Sequence, residues 1–468
     1  MSLDDRGESE IVQIRILHTN DIHSHFDAYP KIAEFLKEGD NFGIPFALVD
    51  IGDNMDRFHP ITEATQGQAN TAMLNLLKYD YATIGNNEGI TLDYQALSEL
   101  YRDADFQVLV ANLFETSGEY PGWVKPYAYK QMDEVRVCFI GLSVYYQHFY
   151  ELLGWKLEDP YSMLEKILPE VRAEADAVVV LSHLGISDDE EMARRFPEID
   201  VILGGHTHHV LPEGKMIGNT LVCGAGKYGQ FIGEVTIGFN EQKGITVKTA
   251  KLHSMDGIHP NNEVEEIINK MEEEVSGALK YKLAELQEPL DIDWFAPSPL
   301  ANLLAEALKE WCEADIGMVN AGVLLESIPA GVVTREALHR ICPHPINPCR
   351  VTLTGEELRE VLQQSIQPEM EELKVKGLGF RGKVMGRMAF SGLEMEHEIF
   401  SDGSIQVKSF LINGKEVKSN DAVSIGTIDM FTFGRMYPSI VRAKDKKFYM
   451  PELLRDVLAE KLSQVKLS

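Results

Sequence analysis

Within the first 210 residues one arrangement repeats: a short apolar run, followed at once by a residue able to bind a metal ion. Ile14-Arg-Ile-Leu17 leads into His18-Thr-Asn-Asp21-Ile-His23. Ala47-Leu-Val-Asp-Ile51 leads into Gly52-Asp53, and Tyr81-Ala-Thr-Ile84 into Gly85-Asn86-Asn87-Glu88. Val178-Val-Val-Leu181 leads into Ser182-His183, and Val201-Ile-Leu203 into Gly204-Gly-His206-Thr-His208. Short apolar runs of this kind read as buried strands. The carboxyl ends of neighbouring strands in an α/β sheet open onto one crevice, so side chains far apart in sequence can meet there.

The surrounding pattern agrees. Strand-like runs at Ile11–Leu17, Phe46–Ile51, Tyr81–Ile84, Val108–Ala111, Val135–Ile140, Ala177–Leu181 and Val201–Leu203 alternate with helical spacing. The helical segments are Lys31–Lys37, Gln68–Lys78, Tyr94–Tyr101, Tyr161–Ala173 and Asp189–Arg195. Alternation of this kind predicts a layered α/β domain. From Asn262 to about Gln287 the apolar residues Val264, Ile267, Ile268, Met271, Val275, Leu279 and Leu283 recur every three or four positions. That spacing predicts one amphipathic helix, bounded by Pro260 and Pro289. A chain of 468 residues is too long for one ordinary core. The expected division is residues 1–260, a linker helix over 261–288 and a second domain over 289–468.

Imidazole and carboxylate ligands together favour manganese, zinc or iron over calcium or magnesium alone. A carboxylate shared between two such ions can hold them about 3.5–4 Å apart, where they lower the pKa of water and offset charge on a phosphoryl group. Each piece alone has a plainer reading. Asp21-x-His23 is what an ordinary strand-end loop offers, Gly52-Asp53 is a turn, Asn86 suits a left-handed turn position, and His183 would serve as a core histidine. Gly-Gly-His206-x-His208 is the most specific piece, and the joint order of all of them carries the argument.

Lys and Arg number 44 against 73 Asp and Glu, a net charge of −29. That balance argues against binding nucleic-acid polymers or anionic membranes through the whole surface. It leaves room for a small anionic substrate, because metal ions invert the local field. The five cysteines are sparse, so no disulfide framework is expected. The opening MSLDDRGESE has no basic or apolar secretory region, and the run Ala177–Leu181 is too short to span a bilayer. A cytoplasmic protein is expected; the oligomeric state is left open.

On these motifs the chain resembles the calcineurin-like metallophosphoesterases, specifically the 5′-nucleotidase / 2′,3′-cyclic phosphodiesterase family. The likeness covers nearly the whole chain, through the metal motifs and through Asn320-Ala-Gly322, Ile328-Pro-Ala-Gly331 and Leu353-Thr-Gly355 in the second domain. It implies a four-layer α-β-β-α sandwich followed by a smaller α/β domain. It also implies that Asp21, His23 and His208 bind one metal, that Asn86, His183 and His206 bind the other, and that Asp53 bridges. The implied activity is hydrolysis of a phosphoester, a nucleoside monophosphate or a 2′,3′-cyclic nucleotide. Asp53, Asn86 and Asn87 are the expected catalytic residues, and Asn320, Gly322, Phe431 and Phe433 the expected substrate-binding residues.

Three departures from the family pattern matter. Asn87 stands where the family keeps a catalytic histidine, and Ile90 where that histidine's acidic partner would be. His25 or His59 could substitute, although either would also serve as a surface histidine. Leu325 occupies the place of a substrate-side arginine. Cys342-Pro-His344-Pro replaces a motif with a base-stacking phenylalanine, leaving Phe431 or Phe433 as stacking candidates or as core. Arg350, Arg381 and Arg435 could meet phosphate or remain at the surface. A changed substrate, such as a dinucleotide, a nucleotide sugar or a non-nucleotide phosphoester, is one alternative. A metal-retaining binding protein with reduced catalysis is another.

Overall fold

The strand Ala177–His183 is buried along its whole length, with Val179 and Leu181 packed into one apolar cluster and Val178 and Val180 into another. Side chains alternate across a strand, so a strand apolar on both faces must lie between two other layers. The computed structural model describes residues 12–39, 44–375, 377–401 and 404–464. It divides into two compact units at Glu274/Val275.

The first unit contains two large sheets. In chain order the strands that build them are β1 (Val12–Thr19), β2 (Phe46–Asp50), β3 (Tyr81–Ala82), β4 (Gln107–Leu109), β5 (Val124–Lys125), β6 (Tyr127–Met132), β7 (Val135–Ser143), β8 (Ala177–His183), β9 (Val201–Gly204), β10 (Lys215–Ile217), β11 (Thr220–Gly224), β12 (Phe231–Phe239) and β13 (Ile245–Ser254). One sheet has the order β13-β12-β1-β2-β3-β4-β5, and the other β10-β11-β9-β8-β7-β6. Strands β1 to β5 pair in parallel, which requires crossover connections. Helices Tyr29–Gly39, Gln68–Leu76 and Tyr94–Leu100 lie in those connections and bury Ile32, Met73, Leu74, Leu97 and Leu100.

The two sheets face each other across one apolar layer. Ile14, Ile16, Val49 and Ile51 from one sheet share it with Phe139, Val179, Leu181 and Leu203 from the other. The far side of the second sheet is covered by helices Pro160–Glu174 and Ile186–Arg195, through Met163, Leu164, Ile167, Leu168, Val171 and Met192. Asp159 caps the first of these helices by accepting from Ser162 N–H at 2.8 Å, and Pro160 follows where its missing N–H costs nothing. The architecture is the expected layered α/β sandwich.

The second unit is also α/β. Its central mixed sheet contains Ile316–Asn320, Pro348–Thr354, Met388–Ser391, Ala422–Ile428 and Lys446–Phe448. Helices Pro299–Trp311, Gly355–Ser365 and Leu454–Gln464 bury Leu304, Leu308, Leu358, Leu362, Leu458 and Leu462 in the same core as that sheet.

One sequence expectation fails here. The linker helix ends at Leu279 instead of continuing to 288, and Lys282–Leu286 is a strand. That strand pairs antiparallel with Gly331–Thr334. Leu283 continues the helical spacing, but a partner about fifty residues away supplies the ladder, and no local pattern could show that. All five cysteines are buried free thiols. Among the described residues no helix is long and apolar enough to cross a membrane.

Candidate metal centre

The loops after β1 and β2 are zipped together by their backbones. Asp21 N–H donates to Gly52 O at 3.0 Å, His23 N–H to Asp53 O at 2.9 Å, and Ser24 N–H to Asn54 O at 2.8 Å. Asn20 ties the first loop to a third, donating to Gly226 O at 2.7 Å and accepting from Ala225 N–H at 3.0 Å. Glu88 fixes the loops after β2 and β3: its carboxylate accepts from Asp53 N–H (3.0 Å), Met55 N–H (3.1 Å) and Gly85 N–H (2.9 Å). The result is a rigid floor built from backbone amides that would otherwise be buried without partners.

On that floor the side chains converge in two groups. Asp21, His23 and His208 form one, and Asp53, His183 and His206 the other, each with its ligand-type atoms within 4.8 Å of one another. His23 Nε2 and His208 Nε2 are 3.1 Å apart, with Asp21 Oδ1 3.7 Å from the first and 3.3 Å from the second. Asp53 lies between the groups: Oδ1 is 3.4 Å from His183 Nε2 and Oδ2 is 3.8 Å from His23 Nε2. Asn86 Oδ1 sits 2.9 Å from His206 Nδ1. Asp21, His23, Asp53 and Asn86 follow strands of one sheet, and His183, His206 and His208 follow or end strands of the other.

The donor set fits divalent ions. His183 is wholly buried, and its Nδ1 donates to Ile51 O at 2.7 Å. That bond orients the ring and leaves Nε2 facing Asp53 Oδ1 at 3.4 Å, with no hydrogen-bond partner. Burial works against a charge on this ring, yet the Asp53 and Asp21 carboxylates outweigh it and push its pKa up to about 10. A pocket that holds a proton this firmly favours a cation. Burial and then the charge of His183 lower His206 to about 4. For Asp53, burial is outweighed by the His183 charge, which holds the carboxyl below its usual range.

The backbone is strained at the same place. Asp21, His23, Ser24, Asp53, His206 and His208 all have φ between 49° and 67°. Left-handed conformations are uncommon for residues with a side chain, and they cluster where function requires them. Gly85 has no room for a side chain: a Cβ there would lie 2.1 Å from Asp53 Oδ1 and 2.6 Å from His183 Nε2.

The remaining predicted residues fall out differently. Asn87 is buried and points to His23, with 2.8 Å between Asn87 Nδ2 and His23 Nδ1. His25 stacks on Tyr228 with ring centroids 4.0 Å apart, and His59 caps a helix by accepting from Ile61 N–H at 3.3 Å. Both line a cavity of about 580 Å³ that also borders His23.

In the second unit, Phe431 is wholly buried against Tyr437, at 4.9 Å, and belongs to the core. The expected stacking role for Phe431 is therefore corrected, because its ring has no exposed face. Phe433 is half-buried. Asn320 is buried and donates to Met385 O at 2.7 Å, while Gly322 lets that loop pass close by: a Cβ would meet Val384 O at 1.9 Å. His344 is structural. Its Nε2 donates to Val323 O at 2.8 Å, its Nδ1 accepts from Arg381 N–H at 2.9 Å, and its ring stacks on Phe380.

Sequence reasoning missed Asp56 and Tyr146. Asp56 Oδ2 lies 3.4 Å from His23 Nδ1, and Tyr146 OH 3.2 Å from His206 Nε2. Asp56 lies three residues beyond Asp53, and that proximity was the available signal; Tyr146 arrives from a separate loop and left none.

Comparison with known proteins gives the family. Residues 14–210 match the calcineurin-like phosphoesterase family, and residues 281–430 match the 5′-nucleotidase C-terminal domain. The chain is 45% identical over 459 residues to the uncharacterized metallophosphoesterase YunD of Bacillus subtilis, covering 97% of this chain and 99% of that protein. Among solved structures, a putative 5′-nucleotidase from Staphylococcus aureus aligns with a TM-score of 0.71 at 19% identity, over 97% of each chain. The NAD nucleotidase of Haemophilus influenzae aligns with a TM-score of 0.68 at 17% identity, over 97% of this chain and 96% of that one. At such identities these two likenesses speak for the fold. With its ligand-rich loops, paired sheets and two matched domains, the chain belongs to the metallophosphoesterases, a calcineurin-like phosphoesterase domain followed by a 5′-nucleotidase C-terminal domain.

Proposed function

We propose that this metallophosphoesterase hydrolyses a nucleotide phosphoester, a nucleoside monophosphate or a 2′,3′-cyclic nucleotide. In this reading Asp21, His23 and His208 hold one divalent ion, Asn86, His183 and His206 hold a second, and Asp53 serves both. Manganese, zinc and iron suit the mixture of imidazole, carboxylate and carboxamide. The observation that carries the reading is the buried His183 Nε2, without a hydrogen-bond partner and 3.4 Å from Asp53 Oδ1.

When bound, the ions supply Lewis acidity, activating water and offsetting charge on the phosphoryl oxygens. The protein's own share is orientation. Ile51 O holds His183, and the Asn87 backbone N–H holds Asp53 Oδ1 at 2.8 Å. Asn20 Nδ2 holds Asp21 Oδ2 at 2.7 Å. With each ligand anchored before substrate arrives, little reorganisation is left for the reaction. The match of residues 281–430 to a 5′-nucleotidase C-terminal domain supports a nucleotide substrate.

The test is a hydrolysis panel on purified protein loaded with manganese or zinc. It would include bis-p-nitrophenyl phosphate, nucleoside monophosphates and 2′,3′-cyclic nucleotides. Turnover of none of them by protein shown to carry its ions would refute the proposal. A dinucleotide or nucleotide sugar is the second reading. It is favoured by Phe431 lying in the core and by Leu325 standing in the arginine position. Such compounds belong in the same panel.

A further inference from the structure

We infer that Asn87 is a positioning residue for His23. In the ion-loaded protein its carboxamide oxygen accepts a hydrogen bond from His23 Nδ1–H, beside the Asp56 carboxylate. The inference rests on the metal-site reading proposed above and changes the part played by position 87.

Two groups crowd one face of His23. The Nδ2 end of the Asn87 carboxamide is 2.8 Å from Nδ1, its Oδ1 end is 3.5 Å from Asn86 Nδ2, and Asp56 Oδ2 is 3.4 Å from the same His23 nitrogen. The opposite nitrogen, Nε2, faces His208 Nε2 at 3.1 Å and Asp21 Oδ1 at 3.7 Å. A neutral imidazole carries one N–H. With the proton on Nε2 the ring cannot act as a ligand toward Asp21 and His208. With the proton on Nδ1 it can, and Nδ1 then needs acceptors. The Asp56 carboxylate oxygen, 3.4 Å from Nδ1, lies on the side where that N–H would point.

The two ends of the Asn87 carboxamide exchange by a half-turn of the terminal torsion, and their assignment follows from the hydrogen-bond network. Once Nδ1 is protonated, only the oxygen end of Asn87 fits against it. Metal-binding histidines are commonly held this way by an acceptor on the far nitrogen.

The backbone keeps Asn87 at this post independently of its side chain. Its N–H donates to Asp53 Oδ1 at 2.8 Å, and its carbonyl accepts from Thr91 Oγ1 at 2.5 Å. Removing the carboxamide therefore leaves the Asp53 contact in place, and the side chain can be tested alone. A residue committed to His23 in this way acts through the ligand and not on the substrate.

The experiment is zinc titration of the full chain against a competing chelator, for wild type, Asn87→Ala and Asn87→Asp. Proton–nitrogen correlation spectra of the histidine side chains accompany it. Wild type should bind two equivalents, with His23 in the Nδ1–H form. Asn87→Ala should weaken one equivalent by about 10–100-fold and leave the other unchanged. Asn87→Asp, which can only accept, should restore the Nδ1–H tautomer and most of the affinity. If Asn87→Ala keeps both affinities while kcat falls at constant KM, the residue works on substrate and the inference is overturned. Loss of both equivalents together with the melting temperature of the zinc-free protein also overturns it, in favour of a folding role. A wild-type chain that binds no ion overturns both this inference and the function proposed above.

Discussion

Glu88 and Asp53 are joined through the backbone: Asp53 N–H donates to Glu88 Oε2 at 3.0 Å, and the same carboxylate also takes the amides of Met55 and Gly85. One buried side chain thus fixes the loops that present Asp53 and Asn86. Glu88→Ala would strand three buried amides, each costing about 1–3 kcal/mol. The expected result is a large loss of stability in chemical denaturation. Glu88→Gln, with one acceptor fewer, should fall between wild type and Glu88→Ala. Equal stability of all three proteins would contradict this account.

Gly85→Ala tests the site without touching a ligand. The added Cβ would overlap Asp53 Oδ1 and His183 Nε2. Those atoms cannot move without giving up the geometry that faces them toward a shared centre. Metal analysis should find fewer bound ions per chain in the variant, and far-ultraviolet circular dichroism should show the fold retained.

Removing the ions should loosen the first unit. The proposed ligands come from both of its sheets, so each bound ion ties one sheet to the other. Binding that favours the folded state adds about 2.7 kcal/mol at a free concentration one hundred times Kd. A chelator should lower the melting temperature by several degrees, and added manganese or zinc should restore it. Melting that ignores both treatments would count against an ion-held centre.

His344 sets a pH dependence in the second unit. Burial lowers its pKa from 6.5 to about 3. The folded state therefore favours the neutral ring, while the unfolded chain takes up a proton below its ordinary value. This contribution is fully present above pH 6.5 and is lost as pH falls toward about 3. His344→Phe removes the titration and strands Val323 O and Arg381 N–H. It should be less stable than wild type at pH 7.5 by about 1–3 kcal/mol, with a shallower decline on acidification. Thermal melts of chelator-treated protein keep ion release out of the comparison.

Phe431 and Phe433 should separate cleanly. Phe431→Ala empties a core position and should cost about 3–5 kcal/mol, read by denaturant unfolding. Phe433 is only half-buried. Phe433→Ala should cost less stability than Phe431→Ala and, if that ring meets substrate, raise KM.

Much of the first unit could be read from residue order. The apolar runs ending at Leu17, Ile51, Leu181 and Leu203 are strands because strand burial is a local, periodic property. The ligand candidates after them come together because parallel strands open on one side. Other features depended on partners that local pattern does not encode. Lys282–Leu286 is a strand only because Gly331–Thr334 lies beside it. Phe431 looked available for stacking because sequence gives residue type and not burial. Asp56 and Tyr146 each reach a candidate ligand through a side-chain contact between distant loops, and such contacts leave no periodic trace.

The left-handed backbone at Asp21, His23, Asp53, His206 and His208 also bears on how the chain can be engineered. Each such residue costs roughly 1–2 kcal/mol that glycine would not. At these five positions glycine relaxes the loop and deletes a candidate ligand in the same step. A thermostability selection run without metal would therefore be drawn to the centre itself and would accumulate glycines there. Its most heat-resistant survivors would be those least able to hold an ion.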